Sequence, residues 1–101
     1  MWYPDRRQEG QMSEQKTWRA DVTIAEDGDV TRATAVLSTD DGRSFQGDGL
    51  ARRNPQDTPA PRIGDELATA RALSELTHKL LEAVAKDIEE TQGARPQHLV
   101  G

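Results

Sequence analysis

The chain has 101 residues, 34% of them hydrophobic and 31% charged, with a net charge of −5 and a mean hydropathy of −0.84. That length supports one domain with one modest core, and the absence of cysteine excludes disulfides, thiolate catalysis and cysteine-based zinc or iron–sulfur sites. No apolar run reaches the roughly 20 residues that span a bilayer, the N-terminus lacks the layout of a signal peptide, and the acidic balance opposes bulk attraction to nucleic acid or anionic membrane, so a soluble cytoplasmic domain is expected.

Residues 1–15 are polar and without apolar period, and residues 92–101, around Gly93 and Pro96, read the same way; both are expected to be tails, with Trp2 and Tyr3 in the first. From Trp18 the chain alternates. Trp18, Ala20, Val22 and Ile24 point one way and Arg19, Asp21 and Thr23 the other, as in a half-covered strand. Asp27-Gly28 reads as a two-residue hairpin turn that sets Val22 opposite Ala33, Ala20 opposite Ala35 and Trp18 opposite Leu37. At Asp40-Asp41-Gly42 a two-residue turn would put Gln46 and Asp48 on the core face. A three-residue loop with Gly42 left-handed instead sets Leu37 opposite Phe45, Ala35 opposite Gly47 and Ala33 opposite Gly49. That register stacks Trp18, Leu37 and Phe45 across three strands. Gly47 and Gly49 then mark either a helix packed closely over them or a backbone cradle for an anion; no G-x-G-x-x-G pattern supports the cradle.

Pro55, Pro59, Pro61 and Gly64 fill a loop that carries the chain from sheet to helix, with Asn54-Pro55 starting a turn. One long helix is expected from Asp65 to Thr91, capped by Asp65 and stopped near Gly93, and longer than the sheet beneath it. At 100° per residue from Leu67, the side chains of Ala70, Leu73, Leu80, Leu81, Val84 and Ile88 fall in one apolar arc around Thr77, and Ala72, Leu76 and Ala83 form a strip beside it. The combined apolar arc is wider than one small sheet face needs. A homodimer through Ala72, Leu76 and Ala83 is the expectation; the alternative is alanine used as a good helix former. The fold class read from these elements is α+β: a three-stranded antiparallel meander on one long C-terminal helix, spanning residues 16–91.

The runs Gly47-Asp48-Gly49-Leu50-Ala51-Arg52-Arg53-Asn54-Pro55 and Ile63-Gly64-Asp65-Glu66-Leu67-Ala68-Thr69-Ala70-Arg71-Ala72-Leu73 resemble a family of small actinobacterial domains of unknown function. Its fold is like that of double-stranded-RNA-binding domains and similar to ribosome hibernation factors. The resemblance implies the same β-β-β-α architecture, homodimers, an association with dormancy or low-oxygen stress, and binding to the ribosome or its RNA. RNA-binding relatives place a lysine-rich run at the start of the last helix. Asp65 and Glu66 stand there in this chain, and residues 65–90 hold seven acids against three bases.

The basic excess is local. Arg43, Arg52, Arg53 and Arg62 face only Asp48 and Asp57 within residues 43–62, and Arg71 follows in the helix. Arg52, Arg53, Arg62 and Arg71 are the candidate RNA or anion contacts; the alternative is that they pair with Asp65, Glu66 or loop carbonyls. Glu75, His78 and Glu82 share a helix face, but one histidine and two exposed acids make a poor metal site. Ser74 and His78 lack an orienting acid and an oxyanion hole. No catalytic residue, metal, cofactor or small-molecule substrate is assigned, and a non-enzymatic role is expected.

Overall fold

The computed structural model describes residues 14–93. Strands β1 (Arg19–Asp27), β2 (Val30–Ser38) and β3 (Ser44–Arg52) form an antiparallel sheet in the order β1-β2-β3, and helix α1 (Pro61–Gly93) packs on one face of it. This is the α+β meander-and-helix architecture expected from the pattern. The tails expected at 1–15 and 92–101, with Trp2 and Tyr3, lie almost wholly outside the described residues.

The β2–β3 connection follows the expected three-residue loop. Thr39 N–H donates to the Arg43 carbonyl at 3.0 Å, Gly42 N–H donates to the Thr39 carbonyl at 3.3 Å, and Gly42 has φ +89°. Leu37 therefore faces Phe45, Ala35 faces Gly47 and Ala33 faces Gly49. The first hairpin differs. Asp27 pairs with Val30, so the turn residues are Gly28 and Asp29, and Val22 faces Ala35 while Ala20 faces Leu37. Gly28 takes φ +62° and Asp29 stays at negative φ, the arrangement of a turn with glycine at its first central position. The strands slide by two residues relative to the expected pairing, and the same side chains keep the same face. The expected stack of Trp18 on Leu37 is lost. Trp18 is 50% exposed and its indole N–H donates to Asp40 Oδ1 at 3.0 Å.

The helix begins at Pro61, a full turn before the expected cap at Asp65. Proline brings a preset φ and lacks the N–H that a first helical residue would leave unpaired, so Pro61 starts the helix instead of delaying it. Ile63 N–H donates to the Ala60 carbonyl at 3.0 Å within this first turn. Asp65 sits in the second turn, partly covered, and its Oδ1 has no hydrogen-bond partner among the described residues.

The seat of the helix is main chain on main chain. A Cβ added to Gly47 would overlap the Ala72 carbonyl and lie 2.5 Å from Leu76 N; one added to Gly49 would overlap Ala68 and Ala72 backbone and lie 2.9 Å from Arg71 Cβ. The core is accordingly small: Ala33, Ala35 and Ala51 from the sheet, Ala68, Ala72 and Leu76 from the helix, with Leu37 and Phe45 packed against it. Ala72 is fully buried and Leu76 only 5% exposed. The strip expected at an exposed dimer interface is thus the strip that seats the helix, with Ala83 half-buried further along it. Ala68 and Ala72 let α1 descend onto the glycines, Leu76 is buried beside them, and Leu73, Leu80 and Leu81 are displaced from the seat. The Arg43 guanidinium reaches Asp87 Oδ2 at 3.2 Å and lies 5.0 Å over the Phe45 ring, tying the distal helix to the second turn.

Candidate functional site

The four candidate arginines lie around the corner where β3 leaves the sheet and α1 begins. Two of them are consumed by the fold. Arg53 Nη2 meets Asp29 Oδ1 at 2.5 Å, and its Nη1 donates to the carbonyls of Asn54 and Pro55 at 3.3 Å and Asp57 at 2.5 Å. One guanidinium with five donors thereby clamps the loop to the first hairpin. Asn54 Oδ1 accepts from Gln56 N–H at 3.0 Å, so the expected Asn-Pro turn forms beneath the clamp. Arg71 Nη1 donates to the Leu50 carbonyl at 2.7 Å, and on the same helix side Glu75 Oε1 accepts from Asp48 N–H at 2.6 Å. These two contacts stitch α1 to the outer edge of β3. Arg52 and Arg62 remain exposed. The loop-carbonyl alternative therefore holds for Arg53, and exposed Arg71 gives one donor to a strand carbonyl.

A cavity of about 250 Å³ opens at this corner, lined among others by Glu26, Thr31, Arg52, Arg53, Thr58 and Gly64. At its edge the Glu26 carboxyl hydrogen-bonds with Asp65, and that bond, together with the Asp65 charge, holds it above the ordinary glutamate range. Glu75, His78 and Glu82, a poor metal set by residue type, are not brought together. His78 Nε2 lies 3.2 Å from Glu82 Oε2 as an exposed helix pair, while Glu75 is turned to Asp48. Among the described residues no group of three or more metal-ligating side chains converges.

The larger feature is apolar. Because α1 sits over β2 and β3, all of β1 is left exposed, including Val22 and Ile24 on the face that the helix would otherwise cover. The helix flank turned toward β1 carries Leu73, 40% exposed, and Val84, with Leu80 half-buried between them; Leu81, at 62%, points away from the sheet. A shallow depression joins the two elements, with Ile24 on one side and Asp65, Glu66, Thr69, Ala70 and Leu73 on the other. Periodicity alone gave these helix residues to the core, since bulk dominates a count of apolar positions. The signal that would have placed them outside is the pair Gly47 and Gly49, whose open floor selects Ala68 and Ala72.

Residues 16–98 match the family described as Rv2632c-like. The chain belongs to the Rv2632c-like family. The uncharacterized protein Rv2632c of Mycobacterium tuberculosis is 51% identical over 74 residues, covering 73% of this chain and 78% of that protein. The uncharacterized protein Mb1767 of Mycobacterium bovis is 46% identical over 72 residues, covering 71% and 76% of the two chains. The crystal structure of Rv2632c superposes with a TM-score of 0.74 at 45% identity, across 85% of this chain and all of that one. The Rv2632c-like relationship thus bears out the actinobacterial family of unknown function expected from the sequence. Among the described residues, no helix is long and apolar enough to cross a membrane.

Proposed function

We propose that this domain is a non-catalytic protein-interaction module that works as a homodimer. The observation that carries this reading is the set of exposed apolar side chains on β1 (Val22 and Ile24) and on the adjoining flank of α1 (Leu73 and Val84). Soluble monomers seldom leave contiguous apolar patches beyond a few hundred Å² uncovered, and larger ones mark contact sites. Charge supports the same reading. The chain is acidic overall, and two of its four candidate RNA-contacting arginines are held by backbone carbonyls.

The second reading is ribosome association by a stress- or dormancy-linked, double-stranded-RNA-binding-like domain similar to hibernation factors. It is favoured by Arg52 and Arg62, both exposed, the first of them lining the corner cavity. Light scattering on the full chain, run beside co-sedimentation with ribosomes at low and moderate salt, separates the two. The interaction-module reading expects a dimer that stays out of the ribosome pellet. Salt-sensitive pelleting that is lost when Arg52 and Arg62 are neutralised would establish the ribosomal reading, and a monomer in light scattering would remove the homodimer.

A further inference from the structure

We infer that the corner cavity between the end of the sheet and the start of α1 binds a small organic cation. Its class is a primary ammonium on a short hydrocarbon body, with the ammonium at Glu26 and Asp65 and the hydrocarbon against the first turns of the helix.

The floor of the cavity is one cross-strand row. Glu26 pairs with Thr31 and Thr31 with Ala51, so these three side chains leave β1, β2 and β3 on the face that α1 covers. The close seat on Gly47 and Gly49 lies further along β3, and over this row the helix and its loop leave a space of about 250 Å³. A dry cavity of about 150 Å³ takes benzene, and on that scale this one holds about ten non-hydrogen atoms. A bare metal ion would leave most of it empty. Its walls are hydrocarbon from Ala51, Ala60, Pro61, Ile63 and Leu67.

Two polar groups at this corner lack a partner. Thr31 lines the cavity and is only 8% exposed, yet its hydroxyl makes no hydrogen bond with another described residue. It stands under Gly64, where a Cβ would lie 2.8 Å from Oγ1. Asp65 Oδ1 is buried and also unpartnered among the described residues. Polar atoms left in this state are costly, and a ligand that hydrogen-bonds them removes the cost.

The surrounding charge selects a cation. Glu26 and Asp65 touch, and among the described residues no lysine or arginine pairs with either. Two carboxyls in contact are held by a shared proton, and an ammonium can donate to both in its place. The arginines of the lining do not reverse this choice. Arg53 is neutralised by Asp29 and its other donors are on loop carbonyls. Arg52 follows buried Ala51 on β3 and so leaves the strand on the opposite face. An anion in the cavity would therefore meet the acid pair.

Titration of the isotope-labelled full chain at pH 7, followed by its amide chemical shifts, tests this. The probe is 2-phenylethylammonium chloride. 2-Phenylethanol keeps the shape without the charge, phenylacetate reverses the charge, and magnesium chloride supplies a metal alone. The ammonium is expected to give saturable shifts centred on Thr31, Ala51 and Gly64, with affinity lower by about tenfold or more for the alcohol and for phenylacetate. Glu26→Gln keeps the shape of an exposed side chain and removes its charge. It is expected to retain the wild-type spectrum away from the corner and to lose a similar factor in affinity for the ammonium. Thr31→Val removes the hydroxyl alone and is expected to weaken binding severalfold. The inference is overturned by shifts that do not saturate or that spread over the acidic face of α1, by equal binding of the alcohol or phenylacetate, by magnesium producing the same shifts, or by full affinity in Glu26→Gln.

Discussion

Replacing Gly47 by alanine tests the seat of the helix, because two physical arguments predict opposite signs. Judged by conformational entropy alone, alanine in a strand is better than glycine by roughly 0.5–1 kcal/mol. Judged by contact, the new methyl falls on the Ala72 carbonyl and 2.5 Å from Leu76 N, against 3.4 Å or more for an ordinary van der Waals contact. Both neighbours are backbone of a helix and no rotamer change relieves the overlap. The helix must rise locally by roughly 1 Å, which loosens Ala68, Ala72 and Leu76 from the sheet together. Overpacking of this kind costs about 1–3 kcal/mol where side chains give way, and here it falls at or above the upper end. A domain of this size holds about 4–12 kcal/mol in all, so Gly47→Ala removes a large share of it. Urea unfolding followed by circular dichroism reads the effect as a drop in midpoint at unchanged slope. Gly28→Ala is the companion: its φ is +62° with nothing within 4 Å, so it carries only the left-handed penalty of about 1–2 kcal/mol. If Gly47→Ala proves neutral or stabilising, the helix does not rest on β3 as described.

Leu76→Asp is expected to leave an unfolded chain by circular dichroism, since Leu76 is the largest core side chain contributed by the helix; a folded monomer would return it to an exposed strip. Arg53→Ala removes a clamp on three loop carbonyls and Asp29, and should cost about 1–3 kcal/mol in thermal or urea unfolding. Arg52→Ala and Arg62→Ala stay within about 0.5 kcal/mol of wild type, as exposed substitutions usually do; equal losses at all three sites would refute the distinction. The raised Glu26 pKa means that the folded state binds this proton more tightly than the unfolded chain. Its ionisation therefore destabilises the fold at neutral pH, and the penalty is relieved as pH falls through the raised folded value toward the ordinary unfolded one. Glu26→Gln should accordingly raise the melting temperature at pH 7 and lose that advantage below the carboxylate range; an unchanged melting temperature at pH 7 would show that Asp65 does not act on Glu26.

The parts of this fold that could be read in the sequence are those where a local rule has one solution. The loop at Asp40–Gly42 is such a case: the wrong length would have placed Gln46 and Asp48 in the core, so parity chose the register. The same rule is blind at the first hairpin, because a slip of two residues leaves every side chain on its face. Only the position of Gly28 within the turn distinguishes the pairings. Pro61 misled through position as well, since a proline that ends one helix can open another. The helix strip was misassigned because an apolar count rewards bulk, whereas the contact with Gly47 and Gly49 rewards closeness. For the candidate site, charge clustering located the arginine corner. It could not say that Arg53 and Arg71 spend their donors on carbonyls that only the folded chain brings near.

A core of five alanines and one leucine also fixes how this domain responds to temperature. Heat capacity of unfolding tracks the apolar surface newly exposed, and ordinary domains show about 12–15 cal/mol/K per residue. With so little hydrocarbon enclosed, a single protomer should fall below that range and have a shallow stability curve, losing little on cooling and yielding gradually on heating. Burial of the β1 and α1 leucine face on association would then add most of the curvature. A scanning calorimeter would see it as a steeper, concentration-dependent transition in the wild type than in Leu73→Lys.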